Sequence, residues 1–343
     1  MSAGGEGNNL RVVVAALAGN LLIALSKFFA AFMSGSVATL AEAIHSVADT
    51  ANQVLLVVGM RRAERPPTVL HPFGHAVESY FWPFMVSIGI FLLGGLFALY
   101  EGIHGLYEHL YGHAVENENS HFWSYAVLSV SFLFESWSFS VAYKEFKAMR
   151  GKRTFRQALM NAKDPTIPVV LAEDTAALVG LAIALLAVSL SDLTNWSGWD
   201  AVGSLLIGLV LGIVAYFLAS RTHSLLLGEA VTPEDDERIK ELACTVDGVI
   251  EVRQLLSYHL GPKTVILALK VEFAQTLDIR AVERCIQQVE QAIREELPHM
   301  RYIFVEPDAN YSLKHDASRP REHRTKDRPA TETAKDADPK PDA

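Results

Sequence analysis

Cysteine is nearly missing from this chain of 343 residues: there are two, Cys244 and Cys285, widely spaced and both in its polar part. That excludes a disulfide framework or a zinc ribbon and fits a reducing compartment. The opening MSAGGEGNNL lacks a basic region followed by a short apolar core and a cleavage site, so no signal peptide is expected. No basic patch with interleaved aromatics occurs anywhere in the sequence, and no nucleic-acid partner is expected. No His-Glu-x-x-His stands on an apolar stretch either, which argues against an intramembrane metalloprotease. The chain is not expected to be an enzyme.

What the chain has in quantity is apolar sequence, 50% of its residues, gathered into long blocks between about residues 11 and 228. A membrane-spanning helix needs about 20 mainly apolar residues. Six stretches qualify: Val12–Met33, Val37–Met60, Tyr80–His104, Phe122–Tyr143, Ile167–Leu190 and Trp199–Ala219. The tight SGS turn around Gly35 makes the first two an antiparallel hairpin, and the glycines of the third predict tilt or a kink. The expected fold is an α-helical membrane protein with six transmembrane helices, plus a small cytoplasmic α+β domain.

Loop charge sets the orientation. Arg61, Arg62 and Arg65 follow the second span, Lys144, Lys147, Arg150, Lys152, Arg153, Arg156 and Lys163 follow the fourth, and Arg221 follows the sixth. The opposite loops, MSGS, EHLYGHAVENENSH and SDLTNWSG, contain neither lysine nor arginine. The positive-inside rule then places both termini in the cytoplasm of a multi-pass membrane protein, in the inner cell membrane if the chain is bacterial.

Charged groups inside a bilayer are expensive, so they usually face a cavity and mark function. The second span carries Glu42, His45 and Asp49, with His45 and Asp49 one turn apart on a single face and Asn52 and Gln53 continuing that stripe. The fifth carries adjacent acids, Glu173 and Asp174; the first has Asn20 and Lys27, and the fourth Glu135. Plainer roles compete for each. His45 with Asp49 can be a neutral pair joining helices, Glu173 with Asp174 can sit solvated near a vestibule, and Glu135 can be helix-packing polarity. Taken together, acids from two spans repel one another unless something positive visits, and Lys27 offsets only one. A divalent cation or protons are the remaining counter-charge. Imidazole with carboxylates suits zinc, and also manganese, cobalt or iron(II).

GSVATLAEAIHSVAD, the downstream HPFGHAVESYFW, and EDTAALVG together resemble the cation diffusion facilitators, proton-coupled exporters of divalent metals, over about residues 11–310. The form of the last motif is similar to the branch that includes the mitochondrial zinc exporters of animals. The resemblance implies secondary active export of a divalent cation, zinc first, from the cytoplasm in exchange for protons. Manganese, iron(II) or cobalt export, or a non-transporting metal sensor or partner subunit, are the alternatives. It also implies a site on His45, Asp49 and Asp174 that takes metal and protons in turn, with no permanently bound cofactor. Where the family usually has a second histidine, four residues before Asp174, this chain has Val170. Glu173 is the candidate substitute, although it points about 100° away from Asp174 on an ideal helix. Its long side chain or a local unwinding near Pro165 and Pro168 would bring it in; water or Asn20 would serve instead. His71 and His75 match a second, cytoplasmic metal position of some relatives, but Pro72 and Gly74 also make a structural turn there. The basic residue usual after HPFGH is replaced by Val77, so a charged lock between the third and sixth spans is absent or built differently.

After the last span, Thr232 caps a helix starting at Pro233, two alternating runs follow around Val249–His259 and Val265–Phe273, a second helix starts near Asp278, and YIFVEP closes as a third strand. This order resembles the family's metallochaperone-like domain, which commonly pairs two protomers, so a homodimer is implied. Lys270 and Phe304 stand where relatives often have metal-binding histidines, so no tight cluster is expected there, with only His259 and Cys285 left as scattered donors. The expected divisions are an N-terminal tail over 1–10, the membrane domain over 11–228, the cytoplasmic domain over 229–312 and a disordered tail over 313–343, too poor in large apolar residues to bury a core. Expected partners are a divalent metal ion, protons and the lipid bilayer.

Overall fold

The computed structural model describes residues 3–34, 37–112, 121–194, 196 and 198–308, and the side chains of residues 3–9, 30–31, 33–34, 37–45, 48 and 121–124 lie outside that description. The tail expected over 313–343 also lies outside it. The membrane part comprises α1 (Ala3–Ser34), α2 (Val37–Ala63), α3 (Glu78–Gly89), a π-helical turn (Ile90–Gly95), α4 (Leu96–Leu110), α5 (His121–Arg150), the short α6 (Phe155–Met160), α7 (Thr166–Thr194) and α8 (Gly198–Leu227). Among the described residues, five helical runs are long and apolar enough to cross a membrane. The 27-residue α2 has the length of a sixth, and it carries the polar stripe of Asp49, Asn52 and Gln53.

The glycine-rich third span runs unbroken from Glu78 to Leu110 through the π turn, whose extra residue re-aims α4 relative to α3. Helix α1 begins earlier than expected, at Ala3, taking in most of the stretch read as a tail; once a helix has nucleated, each added residue costs little. Helix α6 escapes hydropathy reading because it is only six residues long, yet its start is well specified. Thr154 Oγ1 accepts from Gln157 N (3.3 Å) while Gln157 Oε1 accepts from Thr154 N (3.1 Å), a capping box.

The helices form a closed ring. α1 packs on α2 and α5, α5 on α7, α7 on α8, α8 on α3 and α4, and α3 back on α2. The core beneath includes Val12, Val13, Leu56, Val86, Phe146, Val170 and Leu218.

The small C-terminal unit contains α9 (Pro233–Cys244), β1 (Val249–Gly261), β2 (Thr264–Phe273), α10 (Ile279–Glu296) and β3 (Met300–Pro307). The sheet order is β1-β2-β3, with β1 antiparallel and β3 parallel to β2. The parallel pair requires a crossover, and α10 supplies it. Strand β2 buries Val265, Leu267, Leu269 and Val271, every second residue, against Ile239 and Leu242 of α9 and Val289 and Ile293 of α10. Both helix starts are capped as their sequences require: Thr232 Oγ1 accepts from Asp235 N (3.2 Å), and Asp278 Oδ1 from Ala281 N (2.7 Å).

The two parts meet at a specific junction. Glu229, just past α8, accepts hydrogen bonds from Lys163 Nζ (2.8 Å), Arg221 Nη1 (2.9 Å) and Ser224 Oγ (2.7 Å). Its backbone carbonyl accepts from His259 N (3.0 Å) and lies 2.9 Å from His259 Nδ1, tying β1 to the end of α8. The HPFGH loop touches the sheet as well, with the Phe73 ring edge-on to Tyr302 at 5.1 Å between centroids. The junction is charged, and it joins the α6–α7 loop to the end of α8, the helix of the sixth span.

Candidate metal centre

Helix α7 splits its adjacent acids between two neighbours, as the turn of an α-helix dictates. Asp174 is buried and faces α5, where Ser138 Oγ donates to its Oδ2 at 2.8 Å. Glu173 faces α2, where Gln53 Nε2 donates to its Oε2 and Asn52 Nδ2 approaches its Oε1 at 3.4 Å. Asn52 and Gln53 are buried on α2, and Gln53 Oε1 has no further partner among the described residues. Helix α7 is regular from Thr166 onward, so Glu173 reaches its partners by side-chain length and not by unwinding at Pro168.

Asp49 lies half-buried on α2, one turn before Gln53. Glu135, on the face of α5 that also holds Ser138, is buried, and the fields of Asp174, Asp49 and Lys27 act on it. Asp49, Asp174 and Glu135 likewise act on Glu173. Four carboxylates from three helices therefore share one region of the bundle. The His45 ring lies outside the described side chains. Among the described residues, no group of three or more histidine, cysteine, aspartate or glutamate side chains stands close enough to hold a metal ion. Asn20 is buried on α1, which packs against α5 where Gly19 lies beside Ser138. Val170 is fully buried in the apolar core and contributes no donor.

The other candidates are placed as follows. His71 and His75 face each other with ring centroids 4.7 Å apart. His71 N donates to Thr68 Oγ1 (3.1 Å) and Gly74 N donates to the His71 carbonyl (2.9 Å), with Gly74 at φ +84°, which favours glycine. The segment is a turn, and His75 Nδ1 is buried there without a partner among the described residues. In the C-terminal unit, Lys270 donates to Glu306 (3.3 Å) and Asp308 (2.9 Å), so a cation occupies that strand position. Buried His259 is engaged by the Glu229 carbonyl, and Cys285 Sγ donates to the Asp247 carbonyl at 3.2 Å. Burial holds the His259 imidazole below its ordinary pKa, the Glu229 carbonyl opposing. Burial pushes the Glu229 carboxyl up, but the hydrogen bonds of Lys163 and Ser224 and the nearby cations outweigh it and leave it below the usual value.

Sequence reading missed Ser138 as the partner of Asp174 and the Lys163–Glu229–Arg221 cluster. The first had a signal: Ser131, Glu135 and Ser138 repeat at spacings of four and three on one helix face. The second had none, because its members lie in three separate segments.

Two family models match. The cation efflux transmembrane domain covers residues 13–227, and the cation efflux protein cytoplasmic domain covers 231–309. The mouse protein named proton-coupled zinc antiporter SLC30A9, mitochondrial, is 34% identical over 77% of this chain and 46% of its own length. Metal tolerance protein C4 of Arabidopsis thaliana is 32% identical over 77% of this chain and 57% of its own. The manganese efflux system protein MneP of Bacillus subtilis is 21% identical over 86% of this chain and 94% of its own. This chain thus spans about half the length of the mouse and plant relatives. With acids converging from neighbouring membrane helices, a small three-stranded domain behind them and matching models across both parts, the chain belongs to the cation diffusion facilitator family.

Proposed function

We propose that this chain is a secondary active transporter that exports zinc from the cytoplasm in exchange for protons. The observation that carries the reading is Asp174, an acid buried inside a membrane bundle, held by the Ser138 hydroxyl, with further carboxylates of α2, α5 and α7 around it. Acids so placed repel one another, and a travelling divalent cation or its proton replacements relieve that repulsion. The name of the mouse relative, a proton-coupled zinc antiporter, supports the same reading.

His45, Asp49 and Asp174 bind the ion, with Glu173 or water completing the shell. To use Glu173, the metal must displace the Asn52 and Gln53 amides. The ligands must be deprotonated to bind metal, so protons and metal compete for the same groups. The site loads from the cytoplasm, the helices rock, and protons release the ion on the other side. The lysine- and arginine-free loops support a topology with both termini in the cytoplasm. The membrane domain occupies 11–228, and the domain over 229–312 pairs two protomers without a tight metal cluster. His71 and His75 form a local turn and are at most a secondary metal position.

One observation favours a second reading. Buried Val170 removes a nitrogen donor, and oxygen-rich sites suit manganese or iron(II) better. Metal flux into proteoliposomes under an imposed pH gradient separates the two, comparing zinc, manganese, cobalt and iron(II). Asp49→Ala and Asp174→Ala are expected to abolish exchange. A wild-type chain that moves no divalent ion under any proton gradient sinks the transporter reading.

A further inference from the structure

Glu135 is the buried carboxylate that the central site leaves unused. It is 8% exposed, and its Oε2 is shielded from solvent without a hydrogen-bond partner among the described residues. A carboxylate in that position is costly and is not explained by packing, since packing would be served as well by an apolar side chain. Its surroundings are directional. Ser138, three residues on, holds Asp174; Ser131, four residues back on the same face, is 1% exposed, and its Oγ is also unpartnered. One turn further on the same face, Val127 is buried. On the proposed topology α5 runs from the extracytoplasmic side at His121 to the cytoplasmic side at Arg150. The row Asp174–Ser138–Glu135–Ser131 therefore leads from the central acid toward the release side.

We propose that Glu135 is a second carboxylate station for the transported divalent cation, which it receives from Asp174 on the way out. Glu135 lies about 4.5 Å along the α5 axis from Ser138, and the fields of Asp174, Asp49 and Lys27 all reach it. An ion leaving Asp174 thus passes to a second anion on the way to the release side. Lys27 competes for that carboxylate when the ion is gone. The proposal rests on the transport reading above.

The test uses the full-length chain, with zinc flux in proteoliposomes and equilibrium zinc binding measured on the same preparations. Glu135→Gln keeps the shape and loses the charge; Glu135→Asp keeps the charge and shortens the reach. The station predicts that Glu135→Gln binds zinc within about threefold of wild type but exchanges it about tenfold more slowly or worse, while Glu135→Asp retains most of the flux. A packing role predicts the reverse order, with Gln active and Asp impaired, and that result overturns the proposal. So does a Glu135→Gln protein that loses zinc binding as completely as Asp174→Ala, because Glu135 would then belong to the central site. Should Glu135→Gln not remain monodisperse, flux through Glu135→Asp below about a tenth of wild type decides against the station. Absence of flux in the wild type refutes the transport reading itself, a distinct outcome.

Discussion

A methyl group added at Gly208 should weaken the bundle measurably. A Cβ there would lie 2.7 Å from Leu99 Cγ, 2.8 Å from Leu99 N and 3.0 Å from Gly95 O. Two of those atoms are main chain, and carbon contacts want about 3.5–4.0 Å, so side-chain rearrangement alone cannot make room and α4 must move off α8. The same seam continues at Gly102, where a Cβ would meet Leu205 N at 2.7 Å and Ala201 O at 2.9 Å, so separating the helices at one point strains the next. Overpacking of this kind costs about 1–3 kcal/mol, and in lipid no hydrophobic term between helices replaces the lost packing. At about 2–4 °C per kcal/mol, the scale for a chain somewhat smaller than this one, Gly208→Ala should melt about 2–12 °C below wild type. Gly212 supplies the control, one turn along α8, because a Cβ there meets nothing within 4 Å. Gly212→Ala should hold the wild-type midpoint or gain up to about 1 kcal/mol from helix propensity. The assay is thermal unfolding of the detergent-purified chain followed by helical circular dichroism. A Gly208→Ala midpoint at or above that of wild type would refute the reasoning.

Val170→His places an imidazole in the apolar core, where without metal it should cost about 1–3 kcal/mol as an unpaired polar group. If position 170 reaches the ion, zinc should recover that loss, raising the melting midpoint of the variant more than that of wild type; equal zinc shifts in the two proteins would count against it. Glu229→Gln removes the negative partner of Lys163 and Arg221, whose side chains are 20% and 18% exposed. Discounted for that exposure, the loss should be about 1–3 kcal/mol and appear as faster hydrogen exchange of β1 amides; unchanged exchange would mean the cluster contributes nothing. Acid should loosen the same junction in two windows. His259, held below its ordinary 6.5 by burial, contributes stability that is lost as pH falls from about 6.5 through its folded value. Depressed Glu229 adds a further loss below its ordinary 4.5. After correction for intrinsic rates, β1 protection should therefore fall between pH 7.5 and 5.5 in wild type and stay flat in His259→Gln, in terms set by about one histidine titration.

Much of the architecture could be read from residue order because each element announces itself locally. Long apolar runs gave the membrane helices, IFLLGG marked the irregular third span, and Thr232-Pro233 and Asp278 announced the two helix starts of the small domain. Features made by distant residues stayed hidden. Ser138 meets Asp174 across 36 positions, and Lys163 meets Glu229 across 66. The pairing of Glu173 with Asn52 and Gln53 needed the facing of α2 and α7, which helix periodicity alone does not supply. The expectation that Glu173 stands apart from Asp174 followed from the 100° step, and it explains why the two acids serve different neighbours.

The bundle also divides by how its buried polar groups are satisfied. On α3 and α8, Ser87 donates to Phe84 O and Thr222 to Leu218 O, each within its own helix, and α4 meets α8 through close glycine contacts. On α2, α5 and α7 the contacts to the α7 carboxylates run between helices: Ser138 to Asp174, and Asn52 and Gln53 to Glu173, with Ser131 Oγ and Glu135 Oε2 unpartnered among the described residues. A bond within one helix survives when that helix moves, and a glycine seam has no second arrangement of comparable packing. A cross-helix hydrogen bond to a carboxylate is different, because a metal ion or a proton competes directly for the same oxygen. On the transport reading proposed above, rocking driven by the cargo should therefore break contacts of α7 with α2 and α5 while α4 and α8 travel as one body. On that reading the metal-dependent motion belongs to α2, α5 and α7, the helices that carry the acids.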